Sequence, residues 1–156
     1  MAGLLDILIR ATRAVRVLEI GTGAGASGLE IAAALPPDGR LITVERDIDA
    51  AMQARTAFAS AGLDRCVTVM IGNADRYLHK MAGPFDLILQ DSDATMYASM
   101  HDRLVPLLRP AGTLVTRHID AAGDYNEVLA ADARLTTAIL HLDEDLAISV
   151  KRLDLT

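Results

Sequence analysis

Val17-Leu18-Glu19-Ile20-Gly21-Thr22-Gly23-Ala24-Gly25-Ala26-Ser27-Gly28 decides the fold of this chain. An apolar run carrying one acid is followed by alternating glycines and then by an Ala-rich helical pattern. Such a stretch reads as a strand that passes through a tight turn into a helix. Glycine tolerates φ > 0 and has no Cβ, so a ligand can lie against the turn and the N–H groups that open the helix. About 20 residues beyond Gly25, a second apolar run, Leu41-Ile42-Thr43-Val44, ends in Glu45; an acid at that spacing, on the next parallel strand, meets both hydroxyls of a ribose. The pattern implies an adenosine-containing ligand.

The glycines alone leave that ligand open, because Gly23-x-Gly25-x-x-Gly28 also fits the dinucleotide fingerprint. Two features favour S-adenosylmethionine. Glu19 precedes the first glycine in the form Glu-x-Gly-x-Gly-x-Gly, where a carboxylate suits a cationic amino-acid head and repels a pyrophosphate. In addition, Phe85-Asp86-Leu87-Ile88-Leu89-Gln90-Asp91-Ser92-Asp93 reads as a strand ending in acids. In a parallel sheet its tip lies beside that of the first strand. Acids at three tips, Glu19, Glu45 and Asp91, match a ribose, an ammonium and a sulfonium with no phosphate. A nicotinamide cofactor is the alternative. Arg46 would then meet a 2′-phosphate, and is otherwise a solvated arginine.

The rest of the chain reads as one alternating β/α run without repeats or linkers. An amphipathic helix over residues 3–13 precedes a strand at 15–20. A helix over 24–35 is stopped by Pro36-Pro37. Strand 41–45 and helix 47–61 follow, the latter opened by Asp47 and closed by Gly62. Strand 67–71 leads through Gly72-Asn73-Ala74 into a short helix reaching residue 81. Strand 85–90 precedes a helix over 95–108, ended by Pro110 and Gly112, and strand 113–117. A short helix over 125–133 and two last strands, 135–142 and 146–153, close the chain, with Asp143-Glu144-Asp145 as a hairpin turn. The expectation is an α/β fold: a Rossmann-like, doubly wound, mostly parallel seven-stranded sheet with an antiparallel C-terminal hairpin strand, in a single domain.

Composition bounds the function. The chain has 156 residues, 51% hydrophobic and 3% aromatic, with a net charge of −6. So few aromatics leave little for stacking bases, and the charge argues against a nucleic-acid phosphate surface. A lone Cys66 allows no internal disulfide and fits a reducing cytoplasm; opening an apolar strand pattern, it reads as a buried structural thiol. The apolar N-terminal pattern (Leu4, Leu5, Ile7, Leu8, Ile9) is interrupted by Asp6 and Arg10, too short for a membrane span, and followed by no small-residue cleavage site.

With these motifs in hand, the chain resembles a class I S-adenosylmethionine-dependent methyltransferase, within the group related to catechol and caffeoyl-CoA O-methyltransferases. The resemblance rests on residues 17–27, on Gly39-Arg40-Leu41-Ile42-Thr43-Val44-Glu45-Arg46-Asp47, on residues 85–97 and on Leu104-Val105-Pro106-Leu107-Leu108-Arg109-Pro110-Ala111-Gly112-Thr113-Leu114-Val115. It implies the strand order 3-2-1-4-5-7-6. Members are typically longer by an N-terminal helical segment and by the stretch after the fifth strand. In the resembling site, Gly21, Thr22, Gly23 and Gly25 form the loop under the methionine and ribose, and Glu45 takes the ribose diol. Ser27 is read either as the partner of the methionine carboxylate or as a helix N-cap. Gly72, Asn73 and Ala74 lie where the family holds adenine; Asn73 or Asp75 would accept from its amine, and Asp75 is also a helix-cap candidate. Asp91 matches the acid near the ammonium and the transferred methyl.

The resemblance breaks at the catalytic end. Those enzymes hold a divalent metal with the acid at Asp91 and an Asp-Asn pair closing the fifth strand, where this chain has Arg117-His118. Their frequent lysine three residues after that acid is Ala94 here. One carboxylate beside a guanidinium holds Mg²⁺ or Ca²⁺ poorly, even with help from Asp93, so no metal site of that kind is expected. Arg117 is read as pairing with Asp91 or gripping an acidic acceptor, and His118 as a general base; the opposing reading makes both polar residues on the rim of a repurposed pocket. His79 and His101 read as solvated helical residues, and His141 lies near the last turn. The function expected is metal-free methyl transfer, most simply to oxygen, on a small-molecule acceptor. The alternatives are a protein that binds the cofactor without catalysis, or a dehydrogenase. A homodimer is expected from the resemblance, with Leu4, Leu5 and Leu8 covering a sheet edge or another subunit.

Overall fold

The computed structural model describes residues 3–141 and 145–153. Its elements are α1 (Leu4–Thr12), β1 (Arg16–Ile20), α2 (Ala26–Ala34), β2 (Arg40–Glu45), α3 (Ile48–Ser60), β3 (Val67–Ile71), α4 (Ala74–Leu78), β4 (Phe85–Gln90), α5 (Tyr97–Leu107), β5 (Leu108–Arg117), α6 (Tyr125–Ala131), β6 (Leu135–Leu140) and β7 (Leu146–Lys151). One seven-stranded sheet runs β3-β2-β1-β4-β5-β7-β6, the order the resemblance implies. The pairs β1–β2, β1–β4, β2–β3 and β4–β5 are parallel, while β7 runs antiparallel to both β5 and β6. Most of the turn expected at Asp143-Glu144-Asp145 lies outside the described residues.

Side-chain alternation along the central strands separates two cores. Leu18, Ile20, Ile88 and Leu114 point to a core shared with Tyr97, Leu104, Tyr125 and Leu129 of α5 and α6. Val17, Leu87, Leu89 and Val115 point to the other, which takes Leu5 and Ile9 of α1 and Ile31 of α2. The N-terminal helix therefore covers a sheet face through Leu5 and Ile9, where a sheet edge was one expectation. Both faces of β1 and β4 are buried, so their sequences are near-continuous apolar runs.

The chain also departs from its expected boundaries around Pro110. Helix α5 ends at Leu107, and β5 begins at once with Leu108 opposite Phe85. The next pairing is Leu87 with Thr113, so residues 109–112 bulge out of the strand. Ala111 takes a positive φ of 60° inside that bulge. Pro110 and Gly112 thus shape a bulge instead of stopping the helix, as expected of a residue with no N–H and one with no Cβ.

Candidate functional site

The chain leaves β1 for β2 and β3 on one side and returns as β4 on the other. Between β1 and β4 lies the topological switch point, where α/β sheets bind ligands beyond the carboxyl ends of their strands. Here the ladder continues past the strand tips: Gly21 N donates to Val44 O at 2.9 Å, Asp91 N to Ile20 O at 2.8 Å and Gly72 N to Glu45 O at 2.7 Å. Gly21 has φ 97°, and a Cβ there would overlap the Asp91 carbonyl oxygen. Only glycine satisfies that close approach.

These tips enclose a cavity of about 230 Å³. Of the residues singled out from the sequence, Gly21, Gly23, Glu45, Arg46, Gly72, Asn73, Ala74 and Asp91 line it. Ile20, Val44, Ser92, Met96 and Met100 line it too, and sequence reasoning did not single them out. Asp93 also lines the cavity. Met96 and Met100 are spaced i, i+4 after the third acidic tip, the one signal that could have found them.

Glu45 bridges two turns. Its Oε2 accepts from Gly23 N at 2.8 Å and its Oε1 from Asp47 N at 2.9 Å. Asp47 caps α3 by accepting from Ala50 N, as its position predicts. Asn73 is the cap of α4, accepting from Asp75 N at 3.1 Å. Asp75 itself pairs with Arg103, which commits it to a role other than capping. Arg46 is 70% exposed and lies 3.7 Å from Asp93.

Four of the predicted cofactor residues, Glu19, Thr22, Gly25 and Ser27, do not line the cavity. Glu19 is fully buried and does not line the cavity: its Oε1 accepts from Ser27 Oγ at 2.5 Å and its Oε2 from Thr43 Oγ1 at 2.6 Å. Burial pushes its carboxyl up to about 7, the hydroxyls opposing this and Asp91 and Glu45 adding to it. Ser27 spends its hydroxyl on Glu19, and the N-cap of α2 is Gly25, which has no side-chain bond to offer. Thr22 is buried with its hydroxyl 2.5 Å from that of Thr43. Gly25, with φ 96°, faces α3, where an added Cβ would stand 3.2 Å from Ala54. The polar Thr43 inside an apolar strand, opposite Glu19 in register, was the available clue.

Arg117 and His118 are not among the residues that line the cavity and meet it through Asp91; Arg117 Nη1 donates to Asp91 Oδ2 at 2.6 Å. His118 Nε2 lies 3.4 Å from Asp91 Oδ1. His118 has φ 52° just past β5, with its side chain 42% exposed. Of the two readings of Arg117, the pairing with Asp91 is the one present. The acid on which a divalent cation would depend, Asp91, faces a guanidinium here. Among the described residues, no three His, Cys, Asp or Glu side chains converge on a point.

The histidine readings also change. His101 is buried, with Nδ1 2.9 Å from Tyr125 Oη and Nε2 2.8 Å from Asp132 Oδ2. Its expected solvation is overturned, because α6 and the segment after it bring polar partners onto that face of α5. His79 is exposed, and His141 is exposed beside Asp145. Cys66 is half-buried and donates to Leu63 O.

A family model described as O-methyltransferase matches residues 1–152. The chain belongs to the O-methyltransferase family. Its members are S-adenosylmethionine-dependent methyltransferases, which removes the nicotinamide alternative. A catechol O-methyltransferase of Niastella koreensis is 32% identical, covering 88% of this chain and 72% of that protein. The mouse catechol O-methyltransferase domain-containing protein 1 is 28% identical over 96% of this chain, which spans only 65% of the mouse protein. Among solved structures, the O-methyltransferase TomG of Streptomyces achromogenes, in complex with S-adenosylmethionine, superimposes with a TM-score of 0.89. It is 27% identical, with 96% of this chain and 78% of TomG covered. The Bacillus cereus O-methyltransferase bound to S-adenosylhomocysteine gives a TM-score of 0.89 at 25% identity, over 95% of this chain and 79% of its own. Among the described residues, no helix is long and apolar enough to cross a membrane.

Proposed function

We propose that this O-methyltransferase works on a small-molecule acceptor without a divalent metal, using Arg117 and His118 where its relatives use metal ligands. The observation that carries this reading is the Arg117–Asp91 pair, which occupies the one acid on which such a metal would depend.

The cavity fits the cofactor's chemistry: acids line it, and bare glycine backbone lies where a bulky ligand must approach. Glu45 would take the ribose hydroxyls, Asp91 the ammonium, and Gly72 to Ala74 with Met96 and Met100 the adenine. Bound S-adenosylmethionine supplies an electrophilic methyl group on a sulfonium. Arg117 holds Asp91 in place and offsets its charge beside an acceptor that becomes more anionic as it gives up its proton. His118 sits at the exposed rim, where an imidazole can remove the acceptor's proton. Positioning supplies the remaining acceleration, through the fixed strand tips.

The net charge supports an acceptor other than nucleic acid, the single thiol supports a cytoplasmic setting, and the family resemblance supports a homodimer. A cofactor-binding protein without catalysis is the second reading, favoured by the replaced metal ligands. Titration with S-adenosylhomocysteine, with and without Mg²⁺, followed by an acceptor screen in chelator, separates the two. Turnover that persists in chelator and falls in His118→Gln supports the enzyme; tight cofactor binding with no turnover on any phenol, carboxylate or amine acceptor supports the binder.

A further inference from the structure

We infer that Glu19 is a positioning residue which fixes both ends of the cofactor loop through hydroxyl groups, and that its ionisation is coupled to occupancy of the cavity; this rests on reading that loop as the seat of the cofactor.

The proton count makes the case. A hydroxyl has one proton to give. Thr43 gives its proton to Glu19 Oε2, so the Thr22 hydroxyl, 2.5 Å from it, must donate to Thr43. Ser27 gives its proton to Glu19 Oε1. The donors run from Thr22 to Thr43 to Glu19, and from Ser27 to Glu19, with each proton used once and the carboxylate as the common acceptor. Thr22 and Ser27 bracket Gly23 and Gly25, so one buried carboxylate holds the loop at both ends.

The surroundings of Glu19 explain why its charge state matters. From β2 it faces Thr43 and, further along, Glu45; from the tip of β4 it faces Asp91; from α2 it faces Ser27 and the backbone of Gly28, where an added Cβ would stand 3.1 Å from Oε2. Phe58 of α3 closes the wall at Gly28. Among the described residues no lysine, arginine or histidine bonds to it. Burial, together with those two acids, sets its titration near 7. A protonated Glu19 becomes a donor and must reverse one arm of the chain, loosening Thr22 or Ser27. A cationic ligand at the loop favours the ionised form, so its binding releases a proton and strengthens as pH rises through that value.

The test measures S-adenosylhomocysteine affinity from about pH 6 to about pH 8.5 in His118→Gln, to keep that imidazole out of the titration, and in the same background with Glu19→Gln, Thr43→Val or Thr43→Ser. Amide exchange at Gly23 and Gly25 is read in the ligand-free proteins. Affinity should rise about five-fold across the range with Glu19 present and stay flat in Glu19→Gln, which binds about ten-fold more weakly at the alkaline end. Thr43→Val should lose affinity and exchange faster at both glycines, while Thr43→Ser restores both. A folded Glu19→Gln protein with unchanged affinity, pH profile and exchange overturns the proposal. If Glu19→Gln does not fold, equal behaviour of Thr43→Val and Thr43→Ser overturns it. Absence of binding in every protein ends the cofactor reading alone, and loop exchange then decides whether Glu19 positions the loop.

Discussion

Arg117 and Asp91 face each other across the tips of β5 and β4, Nη1 2.6 Å from Oδ2, with both side chains largely shielded from solvent. His118, the next residue, stands 3.4 Å from the second carboxylate oxygen. Where the family resemblance implies a pair of metal ligands, this chain sets a guanidinium and an imidazole beside Asp91. This geometry makes the acid at the tip of β4 a structural anchor that also lines the cavity.

Mg²⁺ titration of the wild-type protein should therefore give no heat that depends on Asp91. Arg117→Met should leave the partly buried Asp91 with His118 alone beside it, at a cost of about 1–3 kcal/mol in chemical denaturation. Mg²⁺ binding that disappears in Asp91→Asn would show that the cation displaces Arg117, and the metal-free reading would fail.

Glu45 accepts from Gly23 N and Asp47 N while lining the cavity. Glu45→Ala should raise the Kd for S-adenosylhomocysteine by about 10- to 100-fold, the equivalent of one or two charge-assisted hydrogen bonds. Calorimetry on the folded variant reads this directly, and an unchanged Kd would exclude Glu45 from the ribose site.

Gly21 and Gly23 make a controlled pair. Both have positive φ, at 97° and 51°, but only at Gly21 does an added Cβ meet another chain segment, the Asp91 backbone. Gly23→Ala should cost about 1–2 kcal/mol, the ordinary strain of the left-handed region. Gly21→Ala should cost about 3 kcal/mol or more, because β1 and β4 must part. Equal midpoints in urea would contradict the assignment of Gly21 to a close backbone approach.

Asp132 is the acid end of a buried chain through His101 to Tyr125. Hydrogen bonds from Arg134, then from His101, hold its carboxyl well below the usual range. A depressed folded value means that its stabilisation is complete above the unfolded carboxylate's titration and is lost as pH falls through the folded one. Asp132→Asn should lower Tm most above about pH 5, with the difference from wild type shrinking as pH falls. A constant difference at all pH values would exclude a charged role.

The legible parts of this molecule share a cause. The strand–glycine–helix run at Val17 to Gly28, the strand-end acid Glu45 and the β/α alternation all depend on residues close in sequence. Conformation at Gly21, burial periodicity along β1 and capping by Asp47 are local consequences of side-chain type, so the order of elements could be written down correctly. Most boundaries shifted by one to three residues, and the largest shift came where pairing of Leu108 with Phe85 drew the strand back into what local pattern assigned to helix.

The sequence by itself determined the sheet, the glycine loop beneath the cavity and the acids that approach it. Tertiary structure alone decided which acid faces the cavity and which holds the scaffold. Glu19 and Asp91 look alike in sequence, each at the end of an apolar strand, yet Glu19 turns under the loop toward Thr43 and Ser27 while Asp91 opens into the cavity. His101 likewise went from an expected surface residue to a buried one because its partners lie 24 and 31 residues further along the chain. A side chain's rotamer and protonation follow from the atoms packed around it, and those atoms come from strands and helices that only the folded chain brings together.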